Sequence, residues 1–273
     1  CSSATQTVYF GERPLIVSEV LNPTGKPDLK QALETQNYEI YARIAVEQEA
    51  AGADILDINC GHPGIQEAEA MAAVVRTVQA VSHLPLQLDS NKPEVLEAGL
   101  RVVNGKPIIN SVTGTAESLA TVLPLAARYG AALILLPIDE PGIPPTAEGR
   151  LTIFRTIVAR CLQLGIRREG LIADCLLLTA AAEPLGPSTS LRTLALVKQQ
   201  LGLHTILGLS NVSFGLPERR SLNQVYYAQA LAQGLDLVIA NPAHPELLTT
   251  RAAHQALSGQ DPYSKIGRAV QQE

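Results

Sequence analysis

Short apolar strands alternate with longer helical segments along the whole chain, and this alternation limits the possible folds more than any other feature. Strands that are apolar throughout are typical of a parallel sheet covered by helices on its outer side. Alternating strands and helices predict right-handed crossovers between neighbouring parallel strands. We predict eight strands, at residues 15–20, 54–59, 86–89, 107–110, 131–136, 171–174, 205–209 and 235–240.

Eight strand–helix units within 273 residues predict an α/β fold of the closed (β/α)8 TIM barrel type in a single domain. An open doubly wound sheet is the alternative, but it usually carries a G-x-G-x-x-G turn, and no strand here is followed by one. We predict that residues 15–258 form the barrel and that residues 28–51 are one helix. Residues 1–14 are predicted as an N-terminal hairpin or extension, in which 7–10 pair with the first strand, and residues 259–273 as a C-terminal tail.

Charge and composition argue against several classes of function. The net charge of -5 gives no basic surface for nucleic acid, and 4% aromatic residues without Trp argue against a base-stacking platform. No apolar run reaches the length of a membrane span. Cys1, Cys60, Cys161 and Cys175 form no CxxC pair and no cluster with His, so we expect reduced thiols, no metal site and a cytoplasmic location.

Polar side chains stand at the carboxyl ends of most predicted strands. In a (β/α)8 barrel these ends surround one mouth, which is where this fold places its active sites. Helix capping by Asp and Asn is the local alternative, and it accounts for one or two such residues. A ring of carboxylates and amides without Lys or Arg instead predicts a ligand site. The ring comprises Glu19, Asn22, Asp57, Asn59, Asp89, Asn110, Asp174, Ser210, Asn211 and Asn241.

Such a ring suits a flat, nitrogen-rich heterocycle. A carboxylate accepts paired N–H donors from an amidine-like edge, and Asn matches a ring carbonyl or a ring N–H. Phosphate binding favours glycine-rich loops or Arg and Lys, which the strand ends lack. Glycoside hydrolysis by Asp89 and Asp174 is a weaker alternative, because the abundant Asn residues and the absence of aromatic sugar platforms do not match it.

Five motifs, taken in order, carry a resemblance to a known family. They are Asn22-Pro23-Thr24-Gly25-Lys26, Asp57-Ile58-Asn59, Leu88-Asp89-Ser90, Ile109-Asn110-Ser111 and Gly208-Leu209-Ser210-Asn211-Val212-Ser213. Together they resemble the pterin-binding methyltransferases, which include the methyltetrahydrofolate:corrinoid protein methyltransferases and the folate domain of cobalamin-dependent methionine synthase. The resemblance covers roughly residues 14–245, and the whole set of motifs in this order is specific.

The resemblance implies an enzyme that moves a methyl group between N5 of methyltetrahydrofolate and the cobalt of a corrinoid. It implies that Asp89, Asn110 and Asp174 hold the pterin edge and that Asn211 is the catalytic side chain beside N5. Arg219 is expected to contact the glutamate tail of the folate or the corrinoid protein. The further substrate-binding positions are Asn22, Asp57, Asn59, Gly208, Ser210 and Ile239.

The same resemblance indicates binding partners, and the chain also differs from the family pattern at several positions. The chain has no Asp-x-His-x-x-Gly cobalamin signature, so we expect the corrinoid on a separate protein, and the resemblance implies a homodimer without a tightly bound metal. Ser18-Glu19-Val20 replaces the usual Gly-Glu-Arg, and Phe214 stands where a polar residue can touch the substrate. The direction of methyl transfer stays open.

Two other functions stay open at this point. Dihydropteroate synthase shares the barrel and the pterin pocket, but that family typically has Ser-Arg at strand seven and a glycine-rich loop after the strand-six Asp. This chain has Ser210-Asn211 and Asp174-Cys175-Leu176 at those places. The second alternative is a non-catalytic folate-binding subunit of a demethylase complex, which gives no reason for Asn211 to be present in the ring.

Overall fold

A closed barrel of eight parallel strands forms the centre of the molecule, for which the computed structural model describes residues 1–261. Each strand pairs with its neighbour in sequence, and β1 pairs with β8 from Leu15 beside Leu237 to Ser18 beside Ala240, which closes the barrel. The predicted (β/α)8 fold is confirmed. The strands are β1 (Leu15–Leu21), β2 (Ile55–Asn59), β3 (Leu86–Asp89), β4 (Ile108–Thr113), β5 (Ala132–Leu136), β6 (Leu171–Asp174), β7 (His204–Gly208) and β8 (Leu237–Ala240).

Helices cover the outside of the barrel and bury one face each against it. In the third helix, Ala70, Met71, Val74 and Val78 are buried, which is the spacing expected of an amphipathic helix. No helix within residues 1–261 has both the length and the apolar character needed to cross a membrane. The helices are α1 (Pro27–Thr35), α2 (Glu39–Ala50), α3 (Glu67–Gln79), α4 (Pro93–Leu100), α5 (Ala116–Tyr129), α6 (Ala147–Gln163), α7 (Gly186–Leu196), α8 (Arg219–Ala232) and α9 (Pro245–Leu257).

Successive residues of each strand face opposite sides, and both sides are apolar. Ile55 of β2 belongs to the cluster inside the barrel, whereas Leu56 and Ile58 pack between the barrel and the helices. The interior cluster also contains Val17, Ile108 and other residues that share the same alternation. The sheet is therefore buried on both faces, as its apolar strands predicted.

The predicted single helix over residues 28–51 is wrong, because the chain forms α1 and α2 with a break between them. Gln36 adopts a left-handed conformation with φ of 54°, which ends α1. The side chain of Asn37 then accepts a hydrogen bond from the Glu39 N–H at 3.2 Å. Asn favours such local turns over a continuing helix, and two polar residues were enough to separate the helices.

The predicted pairing of residues 7–10 with the first strand is also wrong. Thr7 makes an isolated antiparallel bridge to Ser2, and both edges of β1 are occupied by β2 and β8, so a closed barrel leaves no edge for a hairpin. Val8 and Phe10 instead pack against the amino-terminal end of the barrel interior. The domain boundaries stay predictions, and residues 262–273 of the predicted tail lie outside the described residues.

Candidate active site

Strand alternation directs the predicted site residues to the inside of the barrel. Asp57 and Asn59 follow Ile55 of the interior cluster at spacings of two residues, so their side chains share its face. In the sheet register, Asn59 lies beside Asp89, and Asp89 lies beside Asn110. These residues form a polar layer at the carboxyl ends of the strands, above the apolar interior.

Asp57 is a deeply buried carboxyl group of this layer, with 3% of its surface exposed. Gln87 donates a hydrogen bond of 2.6 Å from Nε2 to Asp57 Oδ1. Burial raises the pKa of Asp57 well above its ordinary value, and the charge of Asp89 adds to this rise, whereas hydrogen bonds from Gln87 and Asn110 oppose it. Asp57 therefore favours its protonated form more than an exposed carboxyl group does.

Sequence reasoning missed Gln87, whose side chain is fully buried inside the barrel. Its Oε1 is a buried acceptor without a hydrogen-bond partner among the residues that the structure describes. The available signal was a polar residue two positions before Asp89 in an otherwise apolar strand. Buried polar atoms usually have a hydrogen-bond partner, so the unpaired Oε1 of Gln87 is an additional acceptor in the polar layer.

Asn59 holds the carboxylate of Asp89 in place. Asn59 Nδ2 donates to Asp89 Oδ2 at 2.9 Å, while Asn59 Oδ1 accepts the Gly61 N–H at 2.8 Å. Burial raises the pKa of Asp89, and the hydrogen bond from Asn59 opposes that rise. One Asp89 oxygen thus has a side-chain donor, and the carboxylate borders a hollow of about 440 Å³ that Asn110 also lines.

Asp174 ends β6 and has different neighbours from the other carboxyl groups. Its Oδ1 accepts the Leu176 N–H at 2.8 Å. Burial raises the pKa of Asp174 to about 6, and the Leu176 N–H and the charge of Arg150 act against this rise. Above that pH the carboxylate form predominates and accepts hydrogen bonds only.

Glu19 connects the first strand to the loop after β7. Ser210 donates a hydrogen bond of 2.6 Å to Glu19 Oε1. Arg219 donates to the main-chain oxygen of Ser210 at 2.9 Å and to Ser213 Oγ at 3.1 Å. These two hydrogen bonds of Arg219 therefore hold the loop between β7 and α8. Glu19 binds the same loop through Ser210, a structural role that the sequence did not indicate.

Asn211 has an exposed side chain that makes no hydrogen bond to any residue the structure describes. Its Nδ2 lies 3.0 Å from the position that a Cβ on Gly208 would occupy, so the amide packs directly over that glycine. Phe214, with 67% of its surface exposed, lies in the same loop. The amide of Asn211 is thus available to a ligand at the mouth.

Three of the remaining predicted positions have local or apolar surroundings. The side chain of Asn22 accepts the Thr24 N–H at 2.9 Å, and that of Asn241 accepts the Ala243 N–H at 3.0 Å, so both stabilise turns. Ile239 lies beside Gly208 in the register and packs against the interior cluster. A hollow of about 600 Å³ lies between the loops after β1, β7 and β8, and Asn22 and Asn241 both line it.

The arrangement combines raised-pKa carboxyl groups and amides in one mouth. Asp57, Asn59, Asp89 and Asn110 form one linked group, whereas Asp174 and the loop of Asn211 stand on other strands of the same mouth. Within residues 1–261, no three His, Cys, Asp or Glu side chains are grouped so as to hold a metal ion. Paired acceptors and amides of this kind can bind the N–H-rich edge of a heterocycle.

A model of the pterin binding enzyme family matches residues 18–241. The chain is 30% identical over 255 residues to methionine synthase of Mycobacterium leprae (strain TN), which covers 88% of this chain and 21% of that protein. A second methionine synthase, from Mycobacterium tuberculosis (strain ATCC 25618 / H37Rv), is 30% identical over 83% of this chain and 20% of its own length. The chain thus spans about a fifth of the length of these two relatives.

A relative of similar length is the methylcorrinoid:tetrahydrofolate methyltransferase of Eubacterium limosum. It is 27% identical over 261 residues, which cover 93% of this chain and 96% of that protein. The crystal structure of dihydropteroate synthase from Clostridium difficile in the presence of pteroic acid has a TM-score of 0.72 and 18% identity, and it covers 92% of this chain and 99% of its own. At that identity the likeness shows the fold alone.

Proposed function

Because the chain belongs to the pterin binding enzyme family, we propose that it moves a methyl group between N5 of methyltetrahydrofolate and the cobalt of a corrinoid on a separate protein. The similarity to a methyltransferase over nearly the full length of both chains supports this choice within the family. The single observation that carries the proposal is the exposed amide of Asn211 at the rim of the mouth, which has no hydrogen-bond partner among the described residues.

The pterin edge is bound by Asp89, Asn110 and Asp174 in this proposal. Ionised Asp89 and Asp174 accept N–H donors of the pterin, and the Asn110 amide pairs with a ring carbonyl or N–H. Asp57 and Asn59 orient these groups from below, as their hydrogen bonds to the same polar layer allow. The apolar barrel interior closes the floor of the site.

Asn211 acts on the nitrogen that gains or loses the methyl group. When N5 releases the methyl, the C–N bond electrons remain on N5, and a proton must reach that nitrogen. The Asn211 amide can donate to neutral N5 or, after rotation, accept from protonated N5, and such a hydrogen bond strengthens as charge develops. The corrinoid, as second substrate, supplies a strongly nucleophilic Co(I) whose electron pair forms the new Co–C bond.

The test mixes the protein with methyltetrahydrofolate and chemically reduced free cobalamin, and follows the loss of the Co(I) absorbance. Asn211→Ala is compared with Asn104→Ala, an exposed Asn at the opposite end of the barrel. We expect methylcobalamin with the wild type and Asn104→Ala, and a rate at least about tenfold lower with Asn211→Ala while the folate dissociation constant changes little. Equal rates for both variants would contradict the role of Asn211.

The same proteins distinguish the alternatives. If the wild type gives no methylcobalamin but consumes p-aminobenzoate together with the pterin pyrophosphate, the synthase reaction replaces the proposal. If it binds methyltetrahydrofolate and gives turnover in neither assay, even with a reduced corrinoid protein, a non-catalytic folate-binding role replaces it. Analytical ultracentrifugation of the same sample tests the homodimer that the family resemblance implies.

A further inference from the structure

Arg150 on α6 is a buried cation close to the proposed pterin site, and no motif pointed to it. Only 1% of its surface is exposed. Its guanidinium donates from Nη1 to the main-chain oxygens of Cys175 and Leu176, both at 2.9 Å, and from Nε to the oxygen of Pro144 at 3.2 Å. Three carbonyl groups accept hydrogen bonds from its Nε and Nη1, and none of them carries a negative charge, although a buried charge normally needs a compensating group.

The two carbonyl groups belong to the residues that immediately follow Asp174. Leu176 has a φ of 49°, a left-handed conformation that an apolar branched residue rarely adopts. In this conformation its N–H donates to Asp174 Oδ1 at 2.8 Å. Arg150 therefore binds the same turn whose left-handed residue directs the Leu176 N–H at the Asp174 carboxylate.

We propose that Arg150 is a positioning residue, which clamps the turn after β6 so that Asp174 stays ionised and oriented toward the pterin. The inference rests on the proposed function only in assigning Asp174 to the pterin. The electrostatic part has its own support, since the charges of Arg150 and Asp174 each offset part of the cost of burying the other.

Three titratable side chains among the residues that the structure describes interact electrostatically with Asp174. They are Arg150 from α6, the adjacent Cys175 thiol, and Tyr226 from α8. Burial raises the pKa of Cys175 and of Tyr226, so both are neutral near neutral pH. Arg150 is therefore the charged neighbour whose removal is expected to change the titration of Asp174.

The test compares Arg150→Gln and Arg150→Lys with Arg155→Gln, which changes an exposed arginine on the same helix. Thermal unfolding first establishes that each variant folds. Carboxyl signals of protein labelled with ¹³C-aspartate are then titrated without ligand, and Asp174→Asn identifies the relevant signal. The dissociation constant of methyltetrahydrofolate is measured over the same pH range, without any corrinoid.

For Arg150→Gln we expect the pKa of Asp174 to rise by about one unit, which alone weakens methyltetrahydrofolate binding about twofold at pH 7. Loss of the clamped turn geometry is expected to bring the total weakening to about tenfold. Arg150→Lys keeps the charge but cannot bridge both carbonyl groups as a fork does, so binding weakens with a smaller rise in the pKa. Arg155→Gln is expected to match the wild type. Partial recovery in Arg150→Lys relative to Arg150→Gln would further support the clamp.

A folded Arg150→Gln variant with unchanged Asp174 titration would overturn the proposal, even if its melting temperature falls, because that result indicates a purely structural role. If Arg150→Gln does not fold, Arg150→Lys decides, and wild-type binding of methyltetrahydrofolate by that variant overturns the clamp. If the wild type binds no methyltetrahydrofolate, the proposed function fails, whereas the ligand-free titration still reports whether Arg150 controls Asp174.

Discussion

At the scale of single residues, Gly208 determines where the Asn211 amide can lie. A Cβ at position 208 would stand 3.0 Å from Asn211 Nδ2, closer than side chains normally approach. We predict that Gly208→Ala turns the amide away and slows methyl transfer about tenfold or more, since small misplacements of a catalytic group have effects of this size. A single-turnover measurement of the Co(I) absorbance checks the rate.

The matched control is Gly170→Ala, where the new Cβ would lie 3.6 Å from Ala132, an ordinary contact. This variant is expected to transfer methyl groups at the wild-type rate. Folate binding should change less than about threefold in Gly208→Ala, because the pterin-edge residues are on other strands. A wild-type transfer rate in Gly208→Ala would show that the position of Asn211 over Gly208 is unimportant.

Asp57 gives a second prediction at this scale, concerning stability and pH. Burial, reinforced by the charge of Asp89, raises the pKa of Asp57 in the folded protein above its unfolded value. Its stabilising effect is therefore fully present below about pH 4 and is lost as the pH rises through the folded pKa. Asp57→Asn, a neutral group of the same shape, removes that loss.

We expect Asp57→Asn to gain stability over the wild type as the pH rises, by roughly 1 kcal/mol or more at pH 8. Urea unfolding at pH 5 and pH 8 measures the difference, and Asp28→Asn, an exposed position in the first turn of α1, is the control. A stability difference between wild type and Asp57→Asn that does not change with pH would contradict the buried-carboxyl account.

At the scale of elements, Asp54 joins the start of β1 to α9. Its Oδ2 accepts the Ile16 N–H at 2.8 Å and a hydrogen bond from Arg251 at 2.9 Å, and Arg13 pairs with the same carboxylate. Asp54→Ala leaves Arg251 without this partner, so we predict a loss of about 3–5 kcal/mol in unfolding free energy. Chemical denaturation of the purified variant measures it.

The control for Asp54 is the exposed pair of Arg43 and Glu47 on α2, whose nitrogen and oxygen lie 2.8 Å apart. Glu47→Ala is expected to change the unfolding free energy by less than about 1 kcal/mol, because exposed ion pairs contribute little. Similar losses of unfolding free energy in Asp54→Ala and Glu47→Ala would mean that burial and the hydrogen bond from the Ile16 N–H do not make Asp54 more important than an exposed ion pair.

The elements also show what the sequence alone could predict. Strands were recognisable because they are short apolar runs, most of them with a polar residue at the carboxyl end, and β3 and β6 begin and end where predicted. The division between α1 and α2 was missed, because a left-handed Gln36 is a local choice that apolar periodicity does not record. Predictions of this kind succeed where burial repeats regularly and fail where one residue decides the backbone.

The polar layer of the site was predictable for the same reason. Asp89 ends β3, and Asn110 lies beside it in β4, so the fold alone brings them together. Gln87 and Arg150 were missed because their relevance depends on the groups they bind, which are Asp57 on the neighbouring strand β2 and the main-chain oxygens of the turn after β6. Contacts between distant segments are not encoded in local spacing, so these residues required the three-dimensional structure.

At the scale of the whole molecule, the two ends of the barrel have different tasks. The carboxyl ends of the strands hold the polar layer, while Val8 and Phe10 cover the apolar interior at the opposite end. The Phe10 ring lies edge-on to His204 at the start of β7, with 5.4 Å between ring centroids. Loss of this cover should therefore affect stability without altering the chemistry.

We predict that Phe10→Ala lowers the unfolding free energy by about 1–3 kcal/mol, since a partly buried aromatic side chain and its edge-on contact are removed. The neighbouring Tyr9 is 62% exposed, so Tyr9→Ala is the matched control and should change stability by less than about 0.5 kcal/mol. At a temperature where both variants are folded, methyl transfer should keep its wild-type rate. A slower transfer in folded Phe10→Ala would mean that the closed end of the barrel controls the mouth, and stability and catalysis would then not be separable along the barrel axis.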